Sequence, residues 1–362
     1  MHTRFQHSLR TLLPALALLT LGAQAAASTL NQNVSWTIER PGTTSKYRVV
    51  AYGDSIFAGY NGSTINAAKY SAPTVDAEYL SAQWNSAIES VRRTKSGAIA
   101  SDVYNNKIVA ERAYMQASNT RVVTFEMCGN DGLQARTSFK SQTGTCDDSV
   151  LTAAEASCKT YVTAAMDYIN ANAYAGVKTK VISNLHYPGY AADNTQSSCK
   201  DPASGATVKM QDKFLLSIAR INHMMCDLAR QKGFLCADNF AQYMGADYDS
   251  NGDGKIDSEA LRYVAGESQS SYVNRITSTL RSTIRDANTH FVSAGSSYDY
   301  IQSDDTHPTY TGSTVTAGLF GGSSGSGAAR YSSFAGGKSP IWDQYGHERI
   351  GWAVSTFNVS AP

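Results

Sequence analysis

Tyr47-Arg48-Val49-Val50-Ala51 runs straight into Tyr52-Gly53-Asp54-Ser55-Ile56. The first half is a β-branched run of strand length, and the second holds glycine, aspartate and serine, the residues of a tight turn. Together they predict a buried strand that turns at Gly53 and leaves Ser55 just past its carboxyl end. A serine there can be a nucleophile. It becomes one only with a base and a pocket for negative charge elsewhere in the chain, because a free hydroxyl is a poor nucleophile at neutral pH.

Further apolar, β-rich runs at 122–128, 179–186 and 233–237 are expected to join this strand. Between them the period changes. Ala154, Cys158, Tyr161, Ala165 and Ile169 recur at three- to four-residue spacing, the signature of a helix packed on a sheet. Phe214, Ile218, Ile221, Met225 and Leu228 make a second stripe that ends at Gly233, a good C-terminal residue for a helix. Alternating strands and helices predict an α/β fold with a mostly parallel sheet covered on both faces. Such sheets bind ligands beyond the carboxyl ends of their strands, so Ser55 and Asn130 are expected at one crevice. A carboxylate–imidazole pair for the missing base stands late in the chain, in Asp304-Asp305-Thr306-His307. His186 reads as a rim residue of the pocket, His223 as a structural polar group in a core stripe, and His347 as a helix-start residue. Glu126, inside a strand near the site, reads as the buried partner of an arginine.

Lysine plus arginine (31) balances aspartate plus glutamate (30), and only 17% of residues are charged. No electrostatic footprint for nucleic acid or an anionic membrane follows from that balance. Residues 1–27 carry Arg4 and Arg10, an apolar run from Leu12 to Leu21, and small residues at Ala23–Ala27. This is the pattern of a secretory signal peptide; the run is broken by Pro14 and is shorter than the roughly 20 residues of a spanning helix. The chain is therefore expected to be secreted or periplasmic, without a transmembrane segment, and monomeric. Six cysteines in an oxidising compartment predict three disulfides. Proximity in sequence favours Cys226 with Cys236, and Cys128 with Cys146 next.

Gly53-Asp54-Ser55-Ile56, then Cys128-Gly129-Asn130-Asp131, then Asp304-Asp305-Thr306-His307-Pro308 stand in an order that resembles the SGNH, or GDSL-type, esterases and lipases. Isoleucine stands where that family commonly has leucine, and Cys128 where it has glycine. The resemblance implies a three-layer α/β/α sandwich with a central, mostly parallel sheet, flavodoxin-like, in one domain over 28–362. It implies that Ser55 attacks an ester carbonyl, that His307 is the general base, and that Asp304 orients the imidazole. The oxyanion donors it implies are the Ser55 N–H, the Asn130 side chain and a glycine, for which Gly97 is the choice and Gly62 the alternative. Carboxylic esters would then be cleaved through an acyl-enzyme on Ser55 without an organic cofactor. Lipids, short acyl esters and acetylated glycans all fall within this activity, and the 21 tyrosines weakly favour a carbohydrate or amphipathic substrate.

Two stretches read as insertions. Residues 313–340 hold Gly321-Gly322-Ser323-Ser324-Gly325-Ser326-Gly327 and read as a low-complexity surface loop. Within about 245–268, Asp249-Ser250-Asn251-Gly252-Asp253-Gly254-Lys255-Ile256-Asp257 resembles the first nine positions of an EF-hand loop. Asp249, Asn251, Asp253 and Asp257 supply side-chain oxygens, Lys255 its carbonyl, and Gly254 the sharp turn. Ala260 stands where the bidentate glutamate belongs, with Glu259 one residue early. The expectation is structural Ca²⁺, bound weakly, with Kd about 10⁻⁴ to 10⁻³ M. A rival reading is a calcium-dependent surface or binding protein on an inactive hydrolase scaffold.

Overall fold

The computed structural model describes residues 31–63, 65–186, 196–244, 261–280, 300–304, 306–317, 323–328 and 345–355. Segment 1–27, which reads as a signal peptide, and Asp249 to Asp257 with Glu259, which read as a calcium loop, lie outside the described residues. The strands are β1 (Val34–Glu39), β2 (Lys46–Gly53), β3 (Asn66–Ala68), β4 (Ala87–Thr94), β5 (Thr120–Phe125) and β6 (Gly144–Thr145). They continue as β7 (Thr179–Ser183), β8 (Gln196–Lys200), β9 (Thr207–Lys209), β10 (Leu235–Ala237), β11 (Thr314–Thr316) and β12 (Ser323–Ala328). The helices are α1 (Ser55–Ala58), α2 (Ala72–Trp84), α3 (Ala100–Asp102), α4 (Ala113–Gln116) and α5 (Gly129–Lys140). They continue as α6 (Ser149–Asn172), α7 (Met210–Lys232), α8 (Asn239–Met244), α9 (Gln269–Leu280) and α10 (Gly346–Ser355).

Seven strands form the central sheet in the order β10-β7-β5-β2-β4-β1-β12. β10, β7, β5, β2 and β4 run parallel, whereas β1 is antiparallel to β4 and parallel to β12. β2 sits near the middle because it is apolar on both faces. Val49 joins Ile38, Leu80, Trp84, Ile88 and Val122 on the side of α2, while Val50 and Val123 enter the larger cluster with Met166 and Phe214 of α6 and α7. Each such Val, Leu or Phe taken from water contributes about 1.5–3 kcal/mol. Helices therefore cover both faces, as the alternating pattern predicts. α7 ends at Gly233, whose left-handed φ of 74° closes the helix.

β4 is the strand that hydropathy hides, because its sequence carries Glu89, Arg92 and Arg93. The fold satisfies these charges instead of exposing them. Arg92 is inaccessible to solvent and donates to the carbonyls of Ala58 and Ala68 and to the Ser71 hydroxyl. Burial pulls its guanidinium down to about 9. Arg93 pairs with Glu111, and Arg48 with Glu89 at 2.9 Å.

The glycine- and serine-rich stretch is not loop throughout: Ser323–Ala328 pairs residue for residue with Val34–Glu39 as an edge strand. Composition suggested a loop because glycine lacks strand propensity, but a ladder needs only backbone groups, and here small size is what the neighbour requires. A Cβ on Gly325 would lie 2.1 Å from Trp36 Cζ3. Gly325→Ala is expected to cost about 1–3 kcal/mol through this overlap; an unchanged urea midpoint would show that Trp36 swings clear.

Three disulfides link Cys128 with Cys158, Cys146 with Cys199, and Cys226 with Cys236. The last is the pair favoured by proximity; the expected Cys128–Cys146 link is not formed. α5 carries the chain away from Cys128 for 12 residues, about 18 Å at 1.5 Å per residue. α6 then packs back along α5 and returns Cys158 to Cys128. Among the described residues no helix is long and apolar enough to cross a membrane.

Candidate active site

β2 ends at Gly53, and Asp54 caps the short helix α1 by accepting the Ile56 N–H at 2.9 Å. This turn holds Ser55 at the start of α1, past the carboxyl end of a central strand. The segment carrying His307 reaches it from 252 residues away: His307 Nε2 lies 2.8 Å from Ser55 Oγ. On the far side of the ring, Nδ1 lies 2.5 Å from Asp304 Oδ2. The other Asp304 oxygen accepts the backbone N–H groups of Thr306 (3.1 Å) and His307 (3.0 Å). Burial alone would raise the Asp304 carboxyl, but these hydrogen bonds and the adjacent imidazole outweigh it and hold it below its ordinary value. Asp304 is thus kept as a carboxylate, which suits the Nδ1–H tautomer of His307 and leaves Nε2 as the ring nitrogen that faces the Ser55 hydroxyl.

The His307 segment is pinned at several points. Gln302 donates its side-chain amide to Tyr60 O and Pro308 O, both at 2.7 Å, and the Tyr60 ring packs on the His307 ring with centroids 4.5 Å apart. Behind it, the Gly346 N–H donates to Thr309 Oγ1 and the His347 N–H to Thr309 O. His347 is a helix-start residue, as read, and it is inaccessible to solvent, with Nδ1 accepting the Ala72 N–H. Burial, reinforced by Arg92, holds its imidazole well below the ordinary value and therefore neutral.

Asn130 lies in the first turn of α5. Its amide donates to Asp54 Oδ2 and to Ala98 O, each at 3.0 Å. Both partners are acceptors, so the nitrogen must face them. Sequence reasoning made Asn130 a donor aimed at substrate; in this state both amide hydrogens are already engaged. Among the described residues no acceptor takes the Ser55 N–H. The Gly97–Ala98 turn adjoins Asn130 through Ala98 O, and it is tied down by Lys95 N–H to Gly53 O (3.1 Å) and Ala100 N–H to Asp131 Oδ2 (2.7 Å). Gly62 takes a left-handed φ of 82° and has no heavy atom within 4 Å of where its Cβ would be. Cys128, which stands in the glycine position before Asn130, nevertheless takes φ 83°, the left-handed backbone that favours glycine.

Among the described residues Glu126 is paired with no arginine. It follows β5, whose Phe125 is registered against Tyr52 of β2, so its side chain falls on the Gly53–Asp54 turn. Its carboxyl accepts the Asp54 N–H at 2.6 Å and meets the Asp54 carboxyl, a contact between two acids that spacing along the chain could not reveal.

Beside Ser55 opens a pocket of about 580 Å³, its mouth included. Ile56, Leu133, Leu185, Phe214 and Ile218 give it apolar walls, and Glu126, Asn130 and Asn239 contribute polar edges. His186 also lines it, with Nε2 3.1 Å from Thr306 O, which is the rim position expected of it. His223 is buried against Glu267 O, outside this pocket.

No protein-family model matches the chain, and no curated protein matches it. Among solved structures, it is similar to the lipase Lip_vut3 from a goat rumen metagenome at 17% identity and TM-score 0.42, over 65% of this chain and 96% of that one. It is similar to an extracellular lipase from Streptomyces rimosus at 18% identity and TM-score 0.42, over 64% and 96% of the two chains. It is similar also to phospholipase A1 from Streptomyces albidoflavus NA297 at 17% identity and TM-score 0.40, over 64% and 99%.

Proposed function

We propose that the protein is a secreted serine hydrolase that cleaves carboxylic esters. The observation that carries this reading is the unbroken hydrogen-bonded line from Ser55 Oγ through His307 to Asp304. A scaffold under no catalytic demand has no physical need for that line at the mouth of an apolar pocket, which weighs against the inactive-scaffold rival.

In the proposed reaction, Ser55 Oγ attacks the ester carbonyl as His307 Nε2 takes its proton, and Asp304 stabilises the imidazolium that forms. Negative charge develops on the carbonyl oxygen. The Ser55 N–H is available to it, and Asn130, held by Asp54, joins by turning its other amide hydrogen away from Ala98 O; catalytic hydrogen bonds often tighten only around substrate. The Gly97 N–H is the third donor in this reading. Collapse of the adduct returns the proton from His307 to the leaving alcohol. Water, deprotonated by His307, then attacks the acyl-Ser55 carbonyl, and as the acyl–Oγ bond breaks His307 returns that proton to Ser55 Oγ and the acid leaves. The walls of Ile56, Leu133, Phe214 and Ile218 suit the apolar part of an acyl group.

The test is covalent. Diethyl p-nitrophenyl phosphate should inactivate the enzyme with one diethylphosphoryl group per chain, located on Ser55 by peptide mass. Labelling elsewhere, or full activity after stoichiometric labelling of Ser55, would overturn the reading.

The three disulfides suit an oxidising compartment. Calcium has a structural place in the proposal, held by Asp249, Asn251, Asp253, Asp257 and the Lys255 carbonyl, with Glu259 able to contribute. Millimolar Ca²⁺ is then expected to raise Tm relative to chelator while initial rates stay the same. Equal Tm in the two conditions would count against a bound ion.

A further inference from the structure

Two acids meet under the nucleophile. Glu126 is 3% exposed and Asp54 1%, and their carboxyl groups are in hydrogen-bond contact. Two carboxylates cannot both stay ionised there, so the pair must hold a proton. The surroundings decide which member holds it. Asp54 accepts the Ile56 N–H and the Asn130 amide, two donors that favour a carboxylate. Burial, then the neighbouring Asp54, raise Glu126 well above the ordinary value. Glu126 is therefore the neutral acid that donates to Asp54.

The backbone also converges on Glu126. Its carboxyl accepts the N–H of Asp54, the residue before Ser55, at 2.6 Å. A Cβ on Gly53 would lie 2.5 Å from its Oε1, so glycine at 53 is what lets the carboxyl come this close. With Asp54 taking the Ile56 N–H, two acids collect the amides around Ser55 and leave the Ser55 N–H out. Asp54 is, in turn, the acceptor that aims Asn130.

We propose that Glu126, as a neutral carboxylic acid, is a positioning residue for ester hydrolysis: it clamps the Asp54–Phe57 turn and gives its proton to Asp54, fixing the acceptor that orients Asn130. The inference rests on Ser55 being the nucleophile. Ionisation of Glu126 would set two charges side by side, loosen the turn and place negative charge near the developing oxyanion. Because its proton leaves only above the ordinary carboxyl range, this loss falls on the alkaline side. Asp54 on the turn, Asp131 on α5, His307 on the C-terminal segment and His186 after β7 are the other titratable groups facing the site.

The experiment compares wild type with Glu126→Gln, Glu126→Leu and Ser55→Ala in kcat and KM for p-nitrophenyl butyrate from pH 5.5 to 9.5. Glutamine keeps an acceptor for the Asp54 N–H and a donor to Asp54 but cannot ionise. It should retain neutral-pH kcat within about threefold and lose the alkaline decline. Leucine provides neither and should lower kcat about 10- to 100-fold with KM within about threefold, the pattern of a misplaced reacting group. An alkaline decline in Glu126→Gln identical to wild type overturns the proposal, as does wild-type kcat in Glu126→Leu. If leucine prevents folding, the glutamine profile still decides. Activity surviving in Ser55→Ala would instead remove the serine reading on which the proposal rests.

Discussion

Ser55→Ala is expected to lower kcat/KM for p-nitrophenyl acetate by about 10⁴- to 10⁶-fold while leaving Tm within a few degrees. The hydroxyl removed is the one bonded to His307 Nε2 at 2.8 Å, and alanine keeps the backbone of the capped turn. His307→Ala should cost nearly as much. The double variant should be little worse than either single one, because nucleophile and base act as one unit and their losses do not add. What survives comes from binding and oxyanion contacts. If Ser55→Ala hydrolyses as fast as wild type, another group is the nucleophile; if the two single losses multiply in the double variant, His307 does not act on Ser55.

Cys158→Ala should cost about 3–4 kcal/mol in stability on the chain-entropy account of a cross-link, here one spanning 30 residues. An effect on turnover is expected as well, because Cys128 caps α5, the helix whose first turn carries Asn130. Without its partner, Cys128 has only local packing to hold φ 83°, a region that costs a non-glycine residue roughly 1–2 kcal/mol. Relaxation there would swing Asn130 off Asp54, lowering kcat about tenfold with little change in KM. The double variant Cys128→Gly, Cys158→Ala separates the two effects. Glycine accepts that backbone freely, so kcat should recover while the denaturation midpoint stays low. Unchanged kcat in Cys158→Ala would mean that the α5 N-terminus is held by its other contacts, among them Asp131 on the Ala100 N–H.

Much of the site is legible in the chain because its chemistry is local to short turns. Gly53-Asp54-Ser55 reads as a turn after a strand, and Asp304 sits three residues before His307, close enough for one carboxylate to accept the His307 N–H and bond its ring. The central strand is legible because it is apolar on both faces. β4 is not, since Arg92 and Arg93 are satisfied by carbonyls and by a glutamate that only the folded chain brings near. β12 is not, because its glycines serve Trp36, far away in sequence. Glu126 stands in plain view after β5, yet nothing within a few residues says that its neighbour is Asp54.

The residues alone determined which groups could react, their order along the chain, and the periodicities that make a sheet covered by helices, because sterics, hydrogen bonding in turns and side-chain period act over a few residues. The tertiary structure decided what lies near what. It brought His307 to Ser55 across 252 residues, sent Cys128 to Cys158 rather than Cys146, and placed Glu126 on Asp54 beneath Ser55. Those distances depend on strand order and helix direction, which are properties of the whole packed sheet.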